Sequence, residues 1–301
     1  MINKGGLFER RMRNQFLAEI ENIIQNEFNH SFGNDILYGI SDDKKYPWGD
    51  KIRLADKIWL IGRSYAASPE RRYIGKKGID ISKLIEYRGD GTGNFFMEFA
   101  ELINSDLKYN DIIRRIRLLK RLAFDKSRQD LEILQESIHI VLDFNEIIRD
   151  SAIKFDKKFN PDLTEKVIHR QHVSFCSKFL HFHMPYSVFI FDHFTEEGSK
   201  SLINERQKNI WKLSGKIKIT KTIKDIFVDD YSKYNKDIKI KSYTTNLHDY
   251  INRYKEHCIR EYLLCCYVKS ARDNLAQEPK YYPRMADSVC QRIQKSVESI
   301  D

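Results

Sequence analysis

The stretch 174–194, SFCSKFLHFHMPYSVFIFDHF, restricts the possible folds more than any other part of the chain. Helical spacing persists to His183 and has to stop at Pro185, because proline cannot donate the backbone hydrogen bond that a helix interior needs. Four large apolar residues, 188–191, then lead directly to Asp192. We expect this run to be buried, and Asp192 therefore to enter a partly dehydrated site. Such a site either raises the pKa of a carboxyl group or strengthens its attraction for a nearby cation.

Helical periodicity recurs along most of the chain and predicts a mainly α fold, a helical bundle around a cleft. Basic and apolar residues alternate within 215–241, which favours a small β hairpin or a basic surface segment there. Residues 31–51 are predicted to be loop. The whole chain, 1–301, is expected to form a single unit, either undivided or as two lobes, 1–125 and 126–301. The predicted helices are 7–28, 53–66, 94–104, 109–124, 128–156, 163–183, 195–213, 250–268 and 285–300.

The charge balance of the chain is basic. There are 52 Lys and Arg residues against 43 Asp and Glu, a net charge of +9. Phosphate backbones favour such a surface. Hydrophobic residues at 41% and charged residues at 32% are typical of a globular protein. No apolar stretch approaches the roughly 18 residues of a membrane span, the N-terminus lacks a signal-peptide core, and the five cysteines show no CxxC spacing, so we expect a cytoplasmic protein.

The predicted helix 163–183 carries a polar row beside an apolar stripe. Residues three and four apart share a helix face, and Phe175, Phe179 and Phe182 form the apolar one. Two interpretations of the polar row stay open, a row that faces a groove and an ordinary solvated face. The polar row contains Gln171, Ser174, Lys178 and His181.

Five of the nine histidines fall within 169–193. A metal-dependent nuclease could be built from them with Asp192 as a further ligand. Histidines near DNA also serve as plain phosphate or base contacts. No Cys/His zinc spacing is present, so the sequence predicts no metal and no cofactor. The five are His169, His172, His181, His183 and His193.

An amphipathic helix, a short loop and an aspartate after an apolar run resemble the helix-hairpin-helix DNA glycosylase superfamily. The closest likeness is to the 8-oxoguanine DNA glycosylase-fold branch, in which a Ser-x-x-Ser-Lys-x-Leu-x-Phe helix precedes an apolar-Asp element. The likeness covers about 30 residues closely and extends to about 200 more loosely through helix order. The matching residues are Ser174, Ser177, Lys178, Leu180, Phe182 and Asp192.

The resemblance implies a mechanism that begins with extrusion of a base from the DNA duplex into a pocket. A carboxylate then stabilises the oxocarbenium-like sugar and orients water, which makes Asp192 the candidate catalytic residue. In bifunctional members a lysine attacks the sugar, at a position that corresponds here to Ser174. The resemblance therefore favours a monofunctional hydrolase, with Lys178 as a reserve nucleophile or phosphate contact. The plainer interpretations are a helix N-cap for Asp192 and a surface lysine for Lys178.

The superfamily hairpin normally carries Gly-x-Gly, whose backbone amides bind a phosphate. The corresponding stretch here, 170–173, contains no glycine. The side chains of Arg170 and His172 are therefore expected to bind DNA instead. Further DNA contacts are predicted at Ser174 and His181, and at three arginines on either side of Ser68, which are Arg63, Arg71 and Arg72. Candidates for stacking on an extruded base are Trp48, Trp59 and Tyr65.

The leading hypothesis is a DNA glycosylase that acts as a monomer on double-stranded DNA and leaves an abasic site. One candidate substrate is a hypermodified base in phage DNA, which would make the protein part of antiviral defence. The competing classes are a non-catalytic helical nucleic-acid-binding protein and a metal-dependent nuclease.

Overall fold

The computed structural model describes residues 32–42, 44–45, 47–65, 67, 95–120, 122, 129–159, 172–202, 250–262 and 264–265. Every regular element within these ranges is an α-helix, which confirms the prediction of a mainly α protein. We number the helices in chain order as α1 (Phe32–Ile40), α2 (Lys51–Ser64), α3 (Phe95–Asn104), α4 (Leu107–Leu119), α5 (Gln129–Phe159), α6 (Val173–His183), α7 (His193–Leu202) and α8 (250–262).

Side chains at their N-termini fix where two of these helices begin. The Asp50 carboxylate accepts hydrogen bonds from the backbone N–H groups of Ile52 and Arg53, so α2 begins two residues earlier than predicted. The Asp106 carboxylate accepts the N–H of Lys108 in the same way and begins α4. Each carboxylate satisfies a donor that the first helical turn leaves without a partner.

Helix α5 lies at the centre of the described structure and packs against α3, α4 and α6. Aromatic rings join these helices. Phe144 of α5 stacks on Phe179 of α6 with centroids 5.3 Å apart, and Phe155 of α5 meets Phe95 of α3 edge-on at 4.9 Å. Helix α2 packs on α3 and α6, and α1 covers α2 and α6. The face of α6 opposite α5 is thereby buried as well.

Two predictions about local structure were wrong. Residues 31–51 were predicted to be loop, but they contain α1, which forms because Leu37 enters the core and Tyr38 packs on Phe182 at 5.0 Å. The predicted helix 163–183 does not continue through His172. The backbone of His172 is not helical, and its N–H bonds to the Asn145 side chain of α5 at 2.7 Å, so α6 starts at Val173.

Several predicted elements lie outside the described residues. These are the helices 7–28 and 285–300, the excursion at 215–241, and the part of 163–183 before His172. Among the described helices, none is both long enough and apolar enough to cross a membrane.

Candidate active site

Helix α6 is buried on nearly every face, so neither interpretation of its polar row is complete. Ser174 is half-buried, whereas Lys178 and His181 lie almost entirely inside the protein. The plain surface interpretation of Lys178 was therefore wrong. A buried lysine needs a partner that compensates for its lost hydration, and that partner comes from the chain beyond Pro185.

The chain turns after α6 and runs back along it as an extended buried segment, 188–191. Backbone bonds from Ser187 and Val188 to the Met184 carbonyl close the turn. Two side chains of α6 then bind this returning segment. The Ser177 hydroxyl accepts the N–H of Phe191 at 3.0 Å, and the ring Nδ1 of His181 donates to the Val188 carbonyl at 2.8 Å. Both contacts fix the position at which the chain delivers Asp192.

Asp192 is the N-cap of α7. Its Oδ1 accepts the backbone N–H of Thr195 at 3.0 Å, and the Thr195 hydroxyl accepts the backbone N–H of Asp192 at 3.0 Å. This reciprocal arrangement is a capping box, which satisfies two donors of the first turn at once. The N-cap interpretation of Asp192 is confirmed, and it leaves the second carboxylate oxygen available to another group.

That second oxygen, Oδ2, lies 3.1 Å from the ammonium nitrogen of Lys178. The Lys178 side chain is 6% exposed and that of Asp192 is 18% exposed, so solvent reaches the pair mainly at the carboxylate. The ring of Tyr65, at the end of α2, lies 5.6 Å from the Lys178 nitrogen. A cation at this distance from an aromatic ring is attracted by the electrons of its face. Three separated parts of the chain thus meet at one point.

The charge of Asp192 is favoured despite its burial. Burial alone would raise the pKa of this carboxyl group, but the Lys178 ammonium and the hydrogen bonds from Thr195 outweigh it and lower the pKa below its ordinary value. Of the two outcomes expected for a dehydrated aspartate, the structure selects attraction to a cation. Asp192 is accordingly a carboxylate at neutral pH, with one oxygen fixed by a helix terminus and the other by an ammonium group.

The other predicted contact residues lie in different environments. Trp59 is 47% exposed on α2, and Arg63 is exposed one turn further along the same helix. Tyr65 is half-buried beside Lys178. Arg71, Arg72 and Arg170 lie outside the described residues.

His172, His181 and Trp48 lie in the interior, away from any surface that DNA could reach in this conformation. His181 is fixed from both sides, because its Nδ1 donates to Val188 and its Nε2 lies 3.0 Å from the Tyr38 hydroxyl. The Trp48 ring packs on the His183 ring at 4.2 Å. These positions are those of core residues.

The described histidines do not converge on one point. His183 donates its Nδ1 proton to the Phe179 carbonyl at 2.8 Å, and burial together with the nearby Lys57 charge holds its pKa well below the ordinary value. No group of three His, Cys, Asp or Glu side chains with the geometry of a metal site occurs among the residues that the structure describes.

Sequence reasoning missed the contribution of α8. His257, which is fully buried, lies with Nε2 2.8 Å from the Ile190 carbonyl, two residues before Asp192. Arg253, one turn earlier on α8, forms two hydrogen bonds with Glu196 of α7. Hydrogen bonds from Arg253 and Lys200 overcome the effect of burial and lower the pKa of Glu196 to about 2. The helical spacing of α8 was visible in the sequence, but no local signal linked it to Asp192.

Phe194 also escaped sequence reasoning. It follows Asp192 in the first turn of α7 and is 41% exposed, unusually open for a phenylalanine. An exposed apolar ring in the helix turn that Asp192 caps offers a stacking surface for a flat ligand. Its position two residues after Asp192 was the only feature of the sequence that pointed to a role for it.

Comparisons of this chain with protein-family models, with curated proteins and with solved structures found no match. The arrangement of the site, an ionised and partly exposed carboxylate fixed by Thr195 and Lys178, can stabilise a developing positive charge or orient a water molecule.

Proposed function

We propose that this protein is a DNA glycosylase that hydrolyses the N-glycosidic bond of an extruded damaged or modified base and leaves an abasic site. The observation that carries the proposal is the ion pair of Lys178 with Asp192, whose carboxylate stays ionised although it is largely buried. A fixed negative charge in a poorly hydrated place acts strongly on a cation that forms beside it. The oxocarbenium-like sugar produced by base departure is such a cation.

In the proposed reaction the bond between the sugar C1′ and the base nitrogen breaks, and the base leaves with the bonding electrons. The Asp192 carboxylate stabilises the positive charge that remains on the sugar. A water oxygen then bonds to C1′ and its proton passes to Asp192 or to solvent, while the departed base takes up a proton from solvent. The products are the free base and an abasic sugar, with no covalent enzyme intermediate.

The ion pair supports a monofunctional reaction over one in which a lysine attacks the sugar. A lysine can act as a nucleophile only as the neutral amine. Lys178 lies 3.1 Å from a carboxylate whose charge the ammonium form stabilises. We therefore assign Lys178 the role of fixing Asp192, and we expect no Schiff base with DNA.

The partner that best fits the charge of the chain is double-stranded DNA. An excess of nine positive charges favours binding to a phosphate backbone. Among the predicted contact residues, Trp59 and Arg63 have the exposure that DNA binding requires, and Tyr65 lies next to the ion pair. A hypermodified base of phage DNA is the substrate that would place the protein in antiviral defence.

The central test replaces Asp192 with asparagine. Asparagine is as good an N-cap as aspartate, so Asp192→Asn keeps the bond to the Thr195 N–H and removes only the charge. We expect base release to fall by at least about 100-fold, with DNA affinity changed by less than about threefold. The assay incubates DNA that carries a panel of damaged and hypermodified bases, and then treats it with hot alkali, which breaks the strand at abasic sites.

A matched control is available in Asp143→Asn. The Asp143 side chain is 20% exposed and pairs with Arg115, so it resembles Asp192 in burial and partner but lies between α4 and α5. We expect this variant to retain base release. Equal loss in both variants would mean that Asp192 acts only through stability, and full activity of Asp192→Asn would refute the catalytic assignment.

The same assay separates the competing functions. A glycosylase gives breaks only after alkali, and borohydride traps no adduct if the reaction is monofunctional. A metal-dependent nuclease would break DNA without alkali and stop when a chelator is added. A non-catalytic binding protein would retain DNA and release no base from any substrate in the panel.

A further inference from the structure

We propose that His257 is a positioning residue for Asp192, so that α8 sets the place of the carboxylate although it contributes no group to the reaction. The inference rests on the proposed role of Asp192. It goes beyond that role because it makes the reaction depend on α8. His257 lies 67 positions after Ile190, the residue whose carbonyl it contacts.

The geometry of the His257 ring fixes its protonation. Nε2 lies 2.8 Å from the Ile190 carbonyl oxygen, which can only accept, so Nε2 carries the proton. Nδ1 then carries no proton and lies 3.4 Å from the Ser199 hydroxyl, whose own proton is donated to the Glu196 carbonyl at 2.8 Å. That hydroxyl in turn accepts Nε–H of Arg260 at 3.1 Å. The bond from Nε2 to Ile190 thus orients the ring, with its donor directed at the segment 188–191.

The Ile190 carbonyl is connected to Asp192 through one further side chain. The Thr195 hydroxyl lies 3.1 Å from the same carbonyl and accepts the backbone N–H of Asp192. Thr195 also donates its backbone N–H to the Asp192 carboxylate. A shift of the Ile190 carbonyl would therefore disturb the two Thr195 contacts that hold Asp192.

Helix α8 is held in place by contacts that do not involve His257. Arg253 binds Glu196 through two hydrogen bonds, and it lies one helical turn before His257 on the same face. The Tyr254 ring packs against Phe191 with centroids 5.3 Å apart. Because these contacts remain when His257 is changed, a variant at this position removes the donor while α8 stays docked.

The test compares His257→Leu with His257→Gln. Leucine fills similar space without a donor, whereas the terminal amide of glutamine can place an N–H close to the position of Nε2. In His257→Leu we expect base release under single-turnover conditions to fall by at least about tenfold, with DNA affinity changed by less than about twofold. In His257→Gln we expect most of the rate to return. A role in stability alone would not produce this difference between rate and binding.

A second measurement does not depend on catalysis. Carbon NMR of labelled Asp192 reports the pKa of its carboxyl group, which we expect to rise in His257→Leu as the contacts with Lys178 and Thr195 loosen, and to return in His257→Gln. An unchanged titration in both variants overturns the positioning role. If the titration moves but the wild-type protein releases no base, the positioning role stands and the glycosylase proposal fails.

A third measurement uses the unmodified protein and covers the case in which His257→Leu does not fold. Nitrogen NMR distinguishes the two neutral forms of a histidine ring. The structure requires the Nε2–H form for His257 and, because Nδ1 donates to Val188, the Nδ1–H form for His181. The opposite form at His257 would leave no proton on Nε2 to donate to Ile190 and would overturn the proposal.

Discussion

At the scale of single residues, two buried serines beside the candidate site differ in their bonding. The Ser177 hydroxyl donates to the Ser174 carbonyl at 3.1 Å and accepts the Phe191 N–H. The Ser187 hydroxyl is equally buried and has no hydrogen-bond partner within the described part of the chain. The two positions therefore allow the energetic value of one contact to be measured against an internal reference.

Replacing Ser177 with alanine should lower the free energy of unfolding by about 1–3 kcal/mol, because the buried N–H of Phe191 loses its acceptor. Ser187→Ala removes a hydroxyl that makes no bond to any residue the structure describes, and we expect a change within about 0.5 kcal/mol. Urea denaturation of both variants supplies the measurement. Equal effects of the two substitutions would show that the Ser177 bond contributes nothing to stability.

At the scale of elements, the basic helix α4 proves to be joined to α5 by ion pairs. Arg115 contacts Glu136 at 2.6 Å and also binds Asp143, while Lys108 reaches Glu146 at 3.1 Å. Burial opposes the charge of Arg115, but these two carboxylates raise its pKa. Part of the positive charge of α4 is therefore neutralised by carboxylates of α5 and is not available to a nucleic acid.

We expect Arg115→Met to lower the free energy of unfolding by about 2 kcal/mol, since it leaves two half-buried carboxylates without their shared cation. Arg114 provides the matched control. It pairs with Asp111 at the surface, where both side chains are at least half exposed, so Arg114→Met should cost less than about 0.5 kcal/mol. Chemical denaturation at low and at high salt tests both values. A larger loss in the Arg114 variant would contradict this description of the α4–α5 contact.

How far the sequence determines these elements depends on how local their causes are. Helices α3 and α5 were predicted within three residues at each end, because their apolar periodicity is continuous. Helix α1 was missed because its nine residues form a stable helix only when Leu37 is buried by the rest of the protein.

The candidate site was predictable only in part for the same reason. Asp192 could be selected because a local apolar run precedes it. Its pairing with Lys178 depends on how the chain turns at Pro185, and the polar row of α6 gave no sign of burial. The contact of His257 with Ile190 spans 67 positions and involves no recognisable motif.

At the scale of the whole molecule, two buried histidines make stability depend on pH. Burial lowers the pKa of His257 to about 4, and the pKa of His183 also lies well below its ordinary value of 6.5. The unfolded chain therefore binds more protons than the folded protein as the pH falls below 6.5. The stability that the neutral histidines contribute is fully present above that pH and decreases as the pH falls towards 4.

Between pH 7 and pH 5 we expect His257 to remove about 2 kcal/mol from the free energy of unfolding, and His183 to act in the same direction. Denaturation across this range in the wild type and in His257→Gln provides the test, because the variant should lose the part of the pH dependence that His257 contributes. Asp192 and Glu196, whose pKa values are lowered, act in the same direction only at more acidic pH, as they gain protons. A flat profile between pH 7 and pH 5 would contradict the assigned burial of the two rings.

The contact between His257 and the Ile190 carbonyl also bears on the order in which the protein can be completed during translation. The ribosome makes Lys178 and Asp192 long before it makes residue 257, so the ion pair can form while α8 has yet to be synthesised. The hydrogen bond from His257 to the Ile190 carbonyl can form only once α8 has been made. The Asp192 carboxylate, the proposed catalytic group, therefore reaches its final position only late in the synthesis of the chain.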